Sequence, residues 1–202
     1  MENRTEAKNT KKVIIVVILA LVLFGAYGYY DIVLKKKING TTLIDNPTDG
    51  AITVLLDSKK YEVTAHQYVE VKDITLGYHT LSCEQSGIKN EKFNIDPVAY
   101  GVINPTRSKY VIYNMIYTQK DLSSQFKPYK VEGREIFSLA GAPEVLTDLF
   151  IPDRTSGKGN IDDKEPDTQS YNSFNQDYSV LSKIFRLSDF FEYYDKANKG
   201  SK

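Results

Sequence analysis

Between Val13 and Tyr30 the chain carries no charged residue, and Lys11-Lys12 and Lys35-Lys36-Lys37 bracket that run. About 18 such residues, rising about 1.5 Å each, cross a hydrocarbon core of roughly 30 Å. Tyr27, Tyr29 and Tyr30 gather at one end, where aromatic rings favour the water–lipid interface. The run has no polar face to turn to water, so a soluble amphipathic helix does not suit it. The expectation is a short tail over 1–12 and a transmembrane anchor over 13–34, with the bilayer as partner through Val13 to Tyr30. A cleaved signal peptide competes with this reading, because Ala26-Tyr27-Gly28 has the form of a small-x-small site. Arg4, Lys8, Lys11 and Lys12 before the run nearly balance the lysines after it. A long domain translocates largely regardless of its own charge, so the C-terminal domain is expected outside the cytoplasm.

Roughly 165 residues follow the anchor, enough for a domain with a real core. Lys plus Arg equals Asp plus Glu at 26 each, which gives no sign of a nucleic-acid partner. Cys83 is the sole cysteine, so no intrachain disulfide forms, in keeping with a reduced compartment or an exported domain large enough without one.

The chain then reads as mainly β. Ile52, Val54 and Leu56 alternate with Thr53 and Leu55, Asp57-Ser58-Lys59-Lys60 turns, and Tyr61 to Ala65 returns, which is a hairpin pattern. Tyr68 to Val71, His79 to Cys83, Glu91 to Ile95 and Tyr110 to Tyr117 read as further strands. Short strands at this spacing favour a small antiparallel β-sandwich over 41–152. Asn-Pro-Thr occurs twice, at Asn46-Pro47-Thr48 and Asn104-Pro105-Thr106. Two similar strand-entry turns explain it, and an internal duplication is the other reading.

Pro47, Asp49-Gly50-Ala51, the alternating Ile52, Val54 and Leu56, Asp57, and then Gly77 and His79 before a strand carry a resemblance. The stretch from Pro47 to Leu81 resembles the PEGA module, a small β-sandwich repeat of bacterial envelope proteins. Thr48 is an insertion against that pattern, Ser58 replaces its turn glycine, and its Gly-x-Thr-Pro is missing near Val63-Thr64-Ala65. The resemblance implies a non-enzymatic envelope domain.

Pro143 and Glu144 predict a short helix from Pro143 to Phe150, ended by Pro152. Residues 153–170, rich in Gly, Ser, Asp and Lys, predict a disordered linker. Over 171–199 a C-terminal amphipathic helix is expected. Val180, Ile184, Leu187, Phe191 and Tyr194 are spaced by four and three and share one helical face. Phe174, Tyr178, Leu181 and Phe185 form an adjoining stripe. This face is a candidate surface for another envelope protein, or else docks on its own domain.

Chemistry is sparse. His66 and His79, both placed in strands, and Cys83 lack metal-ligand spacing. No serine occupies a Gly-x-Ser-x-Gly elbow. Ser156-Gly157-Lys158-Gly159 lacks the context of a phosphate loop, and Asp162, Asp163, Glu165 and Asp167 do not follow EF-hand spacing. Catalytic, cofactor and metal sites are therefore expected to be absent. The expected role is a single-pass, non-catalytic binding or scaffolding protein of a bacterial envelope. The alternatives are a regulatory subunit of a membrane transport or secretion assembly and an accessory envelope enzyme.

Overall fold

A computed structural model describes residues 19–28, 40–96, 100–153, 161, 173–174 and 177–199. Residues 19–28 form a helix, α1, whose Leu19, Leu21, Val22, Leu23, Phe24 and Tyr27 side chains are exposed. No helix among the described residues is long and apolar enough to cross a membrane. The remainder of the predicted anchor lies outside the described residues.

The second unit, residues 39–202, is mainly β. Its strands are β1 (Gly40–Asn46), β2 (Ile52–Leu56), β3 (Lys59–Val63), β4 (Gln67–Ile74), β5 (Gly77–Cys83), β6 (Ile88–Ile95) and β7 (Gly101–Ile103). There follow β8 (Tyr110–Tyr117), β9 (Lys127–Val131), β10 (Arg134–Ser138), β11 (Glu144–Leu146), β12 (Phe150–Pro152), β13 (Ser173–Phe174) and β14 (Ser179–Arg186). Helix α2 (Leu187–Lys199) completes the unit. A central sheet runs β12-β7-β1-β4, one outer sheet β3-β2-β5-β6, the other β11-β8-β14-β13, and β9-β10 form a separate hairpin.

Alternation along the strands assigns each face. Ile44, Ile103 and Phe150 of the central sheet pack with Ile52, Val54, Leu56, Leu81 and Ile95 of the first outer sheet. Leu43, Val102 and Ile151, on the opposite face, pack with Tyr110, Ile112 and Ile184 of the second. The central sheet is thus buried on both sides, and residues 42–46 of β1 are all buried. Beyond the second outer sheet, Val111, Tyr113, Met115, Leu181 and Phe185 pack against Val131 and Ile136 of the hairpin and Phe190 of α2.

The sheets are not purely antiparallel, as the alternation suggested, because β1 and β7 pair in parallel. Burial on both faces is what a parallel seam requires, and residue alternation carries no information about strand direction. On the other side of β7, toward its antiparallel partner β12, Gly101 leaves room that a Cβ would lack, since it would meet the Ile151 carbonyl oxygen at 2.3 Å.

The two Asn-Pro-Thr turns are built alike. The Asn46 side-chain amide donates to the Gly50 carbonyl at 2.8 Å, and the Thr48 hydroxyl donates to Asn46 Oδ1. Asn104 donates to the Ser108 carbonyl at 2.8 Å, and the Thr106 hydroxyl donates to Asn104 Oδ1. Strand pairing repeats with them. Strand β1 pairs with β4 and leads through its turn into β2, which pairs with β3 and β5. Strand β7 pairs with β12 and leads into β8, which pairs with β11 and β14. The two halves meet along the parallel seam, each with its own outer sheet.

Three local expectations are corrected. Residues 143–150 are not a helix: Glu144–Leu146 pair with Tyr110 to Ile112, and Phe150–Pro152 pair with Gly101 to Ile103. A helix that short is marginal in water, whereas the open edges of β8 and β7 offer backbone partners, and Pro152 sits where proline is tolerated, on an edge strand. The expected helix over 171–199 starts only at Leu187, after strand β14. His66 lies in the β3–β4 turn at φ 57° rather than in a strand. Of the predicted linker, Asp153 and Ile161 are described, and Ile161 is buried with Val102 and Ile184. The rest lies outside the described residues.

Candidate functional site

The hairpin turn at Asp57 and Ser58 has φ of 47° and 72°, the sense that matches the twist of the flanking strands. This turn carries the Asp57 carboxylate over β5, where Oδ1 accepts from the Thr80 N–H at 2.8 Å and Oδ2 lies 2.5 Å from His79 Nδ1. His79 is buried against Phe93, and its Nε2 is 2.9 Å from the Thr75 carbonyl oxygen. Both ring nitrogens therefore face acceptors. The ring has no lone pair turned to a substrate proton, so it clamps the turn and is not placed as a general base. Beside it lies an open depression of about 320 Å³, lined by Leu55, Asp57, Ser58, Thr80, Ser82 and Asn90.

A second polar cluster is buried between the central and second outer sheets. Asp45 is fully buried. Its Oδ2 accepts from the Tyr110 hydroxyl at 2.5 Å and Arg186 Nε at 2.9 Å, and its Oδ1 accepts from Arg186 Nη2 at 2.5 Å. Arg186 Nη1 also lies 3.7 Å from Asp189 of α2. Burial and the adjacent carboxylate hold the Tyr110 hydroxyl well above its ordinary pKa. Hydrogen bonding to Asp45 holds the guanidinium above its own. This forked pairing is strong in geometry and leaves the carboxylate saturated. Sequence reading passed over the cluster. Its signal was Asp45 alone among Thr42, Leu43 and Ile44, and Arg186 closing an apolar run.

The proposed helix face is divided by the fold. Val180 and Ile184 are buried in β14. Leu187, Phe191 and Tyr194 lie on α2, half-buried against the second outer sheet and the hairpin. Tyr194 accepts a hydrogen bond from the Phe137 N–H at 2.7 Å, and Arg134 stands 4.5 Å from the Phe191 ring while pairing with Asp195.

Among the described residues no cluster of His, Cys, Asp or Glu is arranged to hold a metal ion. His66 contacts Asp49 at the surface, and the Cys83 thiol faces the Gln85 side chain. The glycine-lysine segment 156–159 and the acidic residues 162–167 lie outside the described residues. Comparison with known protein families, curated proteins and solved structures finds no match.

Proposed function

We propose that the chain is a single-pass, membrane-anchored, non-catalytic binding or scaffolding protein of a bacterial cell envelope, with its β body outside the cytoplasm. The observation that carries this reading is the charge-free run, whose described part, α1, exposes six large apolar side chains. Apolar surface of that density is costly in water and suits lipid.

Two features of the β body support the non-catalytic part. Two of its buried polar clusters are turned inward on themselves: His79 on Asp57 and the Thr75 carbonyl, Asp45 on Arg186 and Tyr110. The residues that resemble the PEGA module also meet in space. The turn carrying Asp57 closes onto His79, and Ile52, Val54, Leu56 and Leu81 share one core between two facing sheets, a β-sandwich arrangement.

Alkaline carbonate extraction of membranes from cells producing the full chain tests the anchor, and it should leave the protein in the pellet. Recovery in the supernatant, or a mature chain beginning near Tyr29, overturns it. Protease added to intact spheroplasts should digest the β body; its protection until lysis reverses the topology.

A further inference from the structure

The two halves of the β body offer the same surface in two states. In the second half, the face of β8 and β14 turned away from the centre is apolar and covered by the chain's own hairpin and helix. In the first half, the equivalent face of β2 and β5 leaves Leu55 and Tyr78 exposed among the described residues. The residue seven positions after each repeated asparagine is Val111 there and Thr53 here. The face of Thr53, Leu55, Tyr78, Thr80 and Ser82 is therefore built for a polar occupant, not for a helix or another apolar sheet.

We propose that this outer face binds a neutral polyhydroxylated polymer, a glycan strand. Tyr78 is 82% exposed in a regular ladder, opposite Asn94. A strand tyrosine ordinarily packs over its neighbours; this ring is left free, with an apolar face for the C–H side of a sugar ring and a hydroxyl at its tip. Thr80 and Ser82 follow on the same face, a strip of about 13 Å from Tyr78. The strip ends at the depression bounded by Leu55, Asp57, Ser58 and Asn90.

The polar groups there are already oriented. Asp57 is held by His79 and the Thr80 N–H, and Ser82 by the side chain and N–H of Asn90. Preorganised groups lose little freedom when a ligand arrives. Lys60 pairs with Glu62, and the depression is lined by the Asp57 carboxylate and by no cation, so it has no field to gather a polyanion. The envelope reading bears only on where such a polymer would be met; binding itself is independent of the anchor.

The test is calorimetric titration of the full chain in detergent micelles with glucose and N-acetylglucosamine hexamers. At least one should bind saturably. Tyr78→Ala should weaken that binding tenfold or more while melting at the parent temperature, because the ring is exposed. Tyr68→Ala, on the central sheet, should leave that binding unchanged. The proposal is overturned by an absence of binding to both hexamers, by binding that survives Tyr78→Ala, or by a response only to a polyanion such as polyphosphate. A failure of membrane association alone would sink the anchor and leave this result standing.

Discussion

Arg186 grips Asp45 across the space between two sheets, with Nε 2.9 Å from Oδ2 and Nη2 2.5 Å from Oδ1. The pair joins strands far apart in sequence, and Tyr110 completes it. It ties the first half of the β body to the second, because Asp45 leans away from its own outer sheet toward the other.

Removing one partner strands a buried charge. Asp45→Ala or Arg186→Met should each cost about 3–5 kcal/mol, whereas Asp45→Leu, Arg186→Met and Tyr110→Phe together should cost markedly less than their sum. Urea unfolding of the variants measures this. Additive losses would show that the three residues do not act as a unit.

High pH should destabilise the domain through its tyrosines. Burial, then the neighbouring Tyr193 and Tyr194, pushes Tyr113 up to about 12, and Tyr110 is also raised. A pKa raised in the folded state contributes stability that is complete below the unfolded value near 10. That contribution is lost as pH climbs through the folded value. Tyr113 alone should account for a loss of about 3 kcal/mol between pH 10 and 12. Urea midpoints across that window, with Tyr113→Phe giving a shallower fall, check the sign.

Strand β2 has one core face and one solvated face. Val54 is fully buried and Thr53 half-exposed. Val54→Asp should cost several kcal/mol by burying a carboxylate without a partner, enough to threaten the domain's net stability, while Thr53→Asp, opposite Glu62, should cost far less, about 1 kcal/mol. Thermal melts of the two variants separate the faces.

Helix α2 contributes to the stability of its own domain. Phe190 is fully buried between Tyr113 and Phe185, and Phe190→Ala should cost about 3–5 kcal/mol. Tyr194→Phe, which removes the acceptor for the Phe137 N–H, should cost about 1 kcal/mol. A melting temperature unmoved by Phe190→Ala would mean that the helix is not docked.

Close backbone approach makes Gly101 irreplaceable. Gly101→Ala drives a methyl group into the Ile151 carbonyl, and the antiparallel β7–β12 pair must shift to admit it. Hydrogen exchange should speed selectively at β7 and β12, a pattern that loss of a surface residue would not produce.

Local chemistry in the sequence marked several strands of the first half of the β body, though not β1, and it misplaced His66. Alternating Ile52, Val54 and Leu56, the turn at Asp57-Ser58, and the buried set His79, Leu81 and Cys83 were legible because period-two alternation with a turn signal needs no distant partner. The C-terminal segment misled for a definite reason. Val180 and Ile184 are four apart, and four is even, so the spacing serves a strand as well as a helix. Only the odd step from Ile184 to Leu187 distinguishes them, and there β14 gives way to α2. What remained open was decided by tertiary partners: the free edges of β7 and β8 drew residues 143–152 into strands, the parallel seam buried β1 on both faces, and Asp45 found Arg186. Sequence patterning reports which side of an element is apolar, whereas strand direction, edge pairing and the match of one buried charge to another exist only once distant segments are packed together.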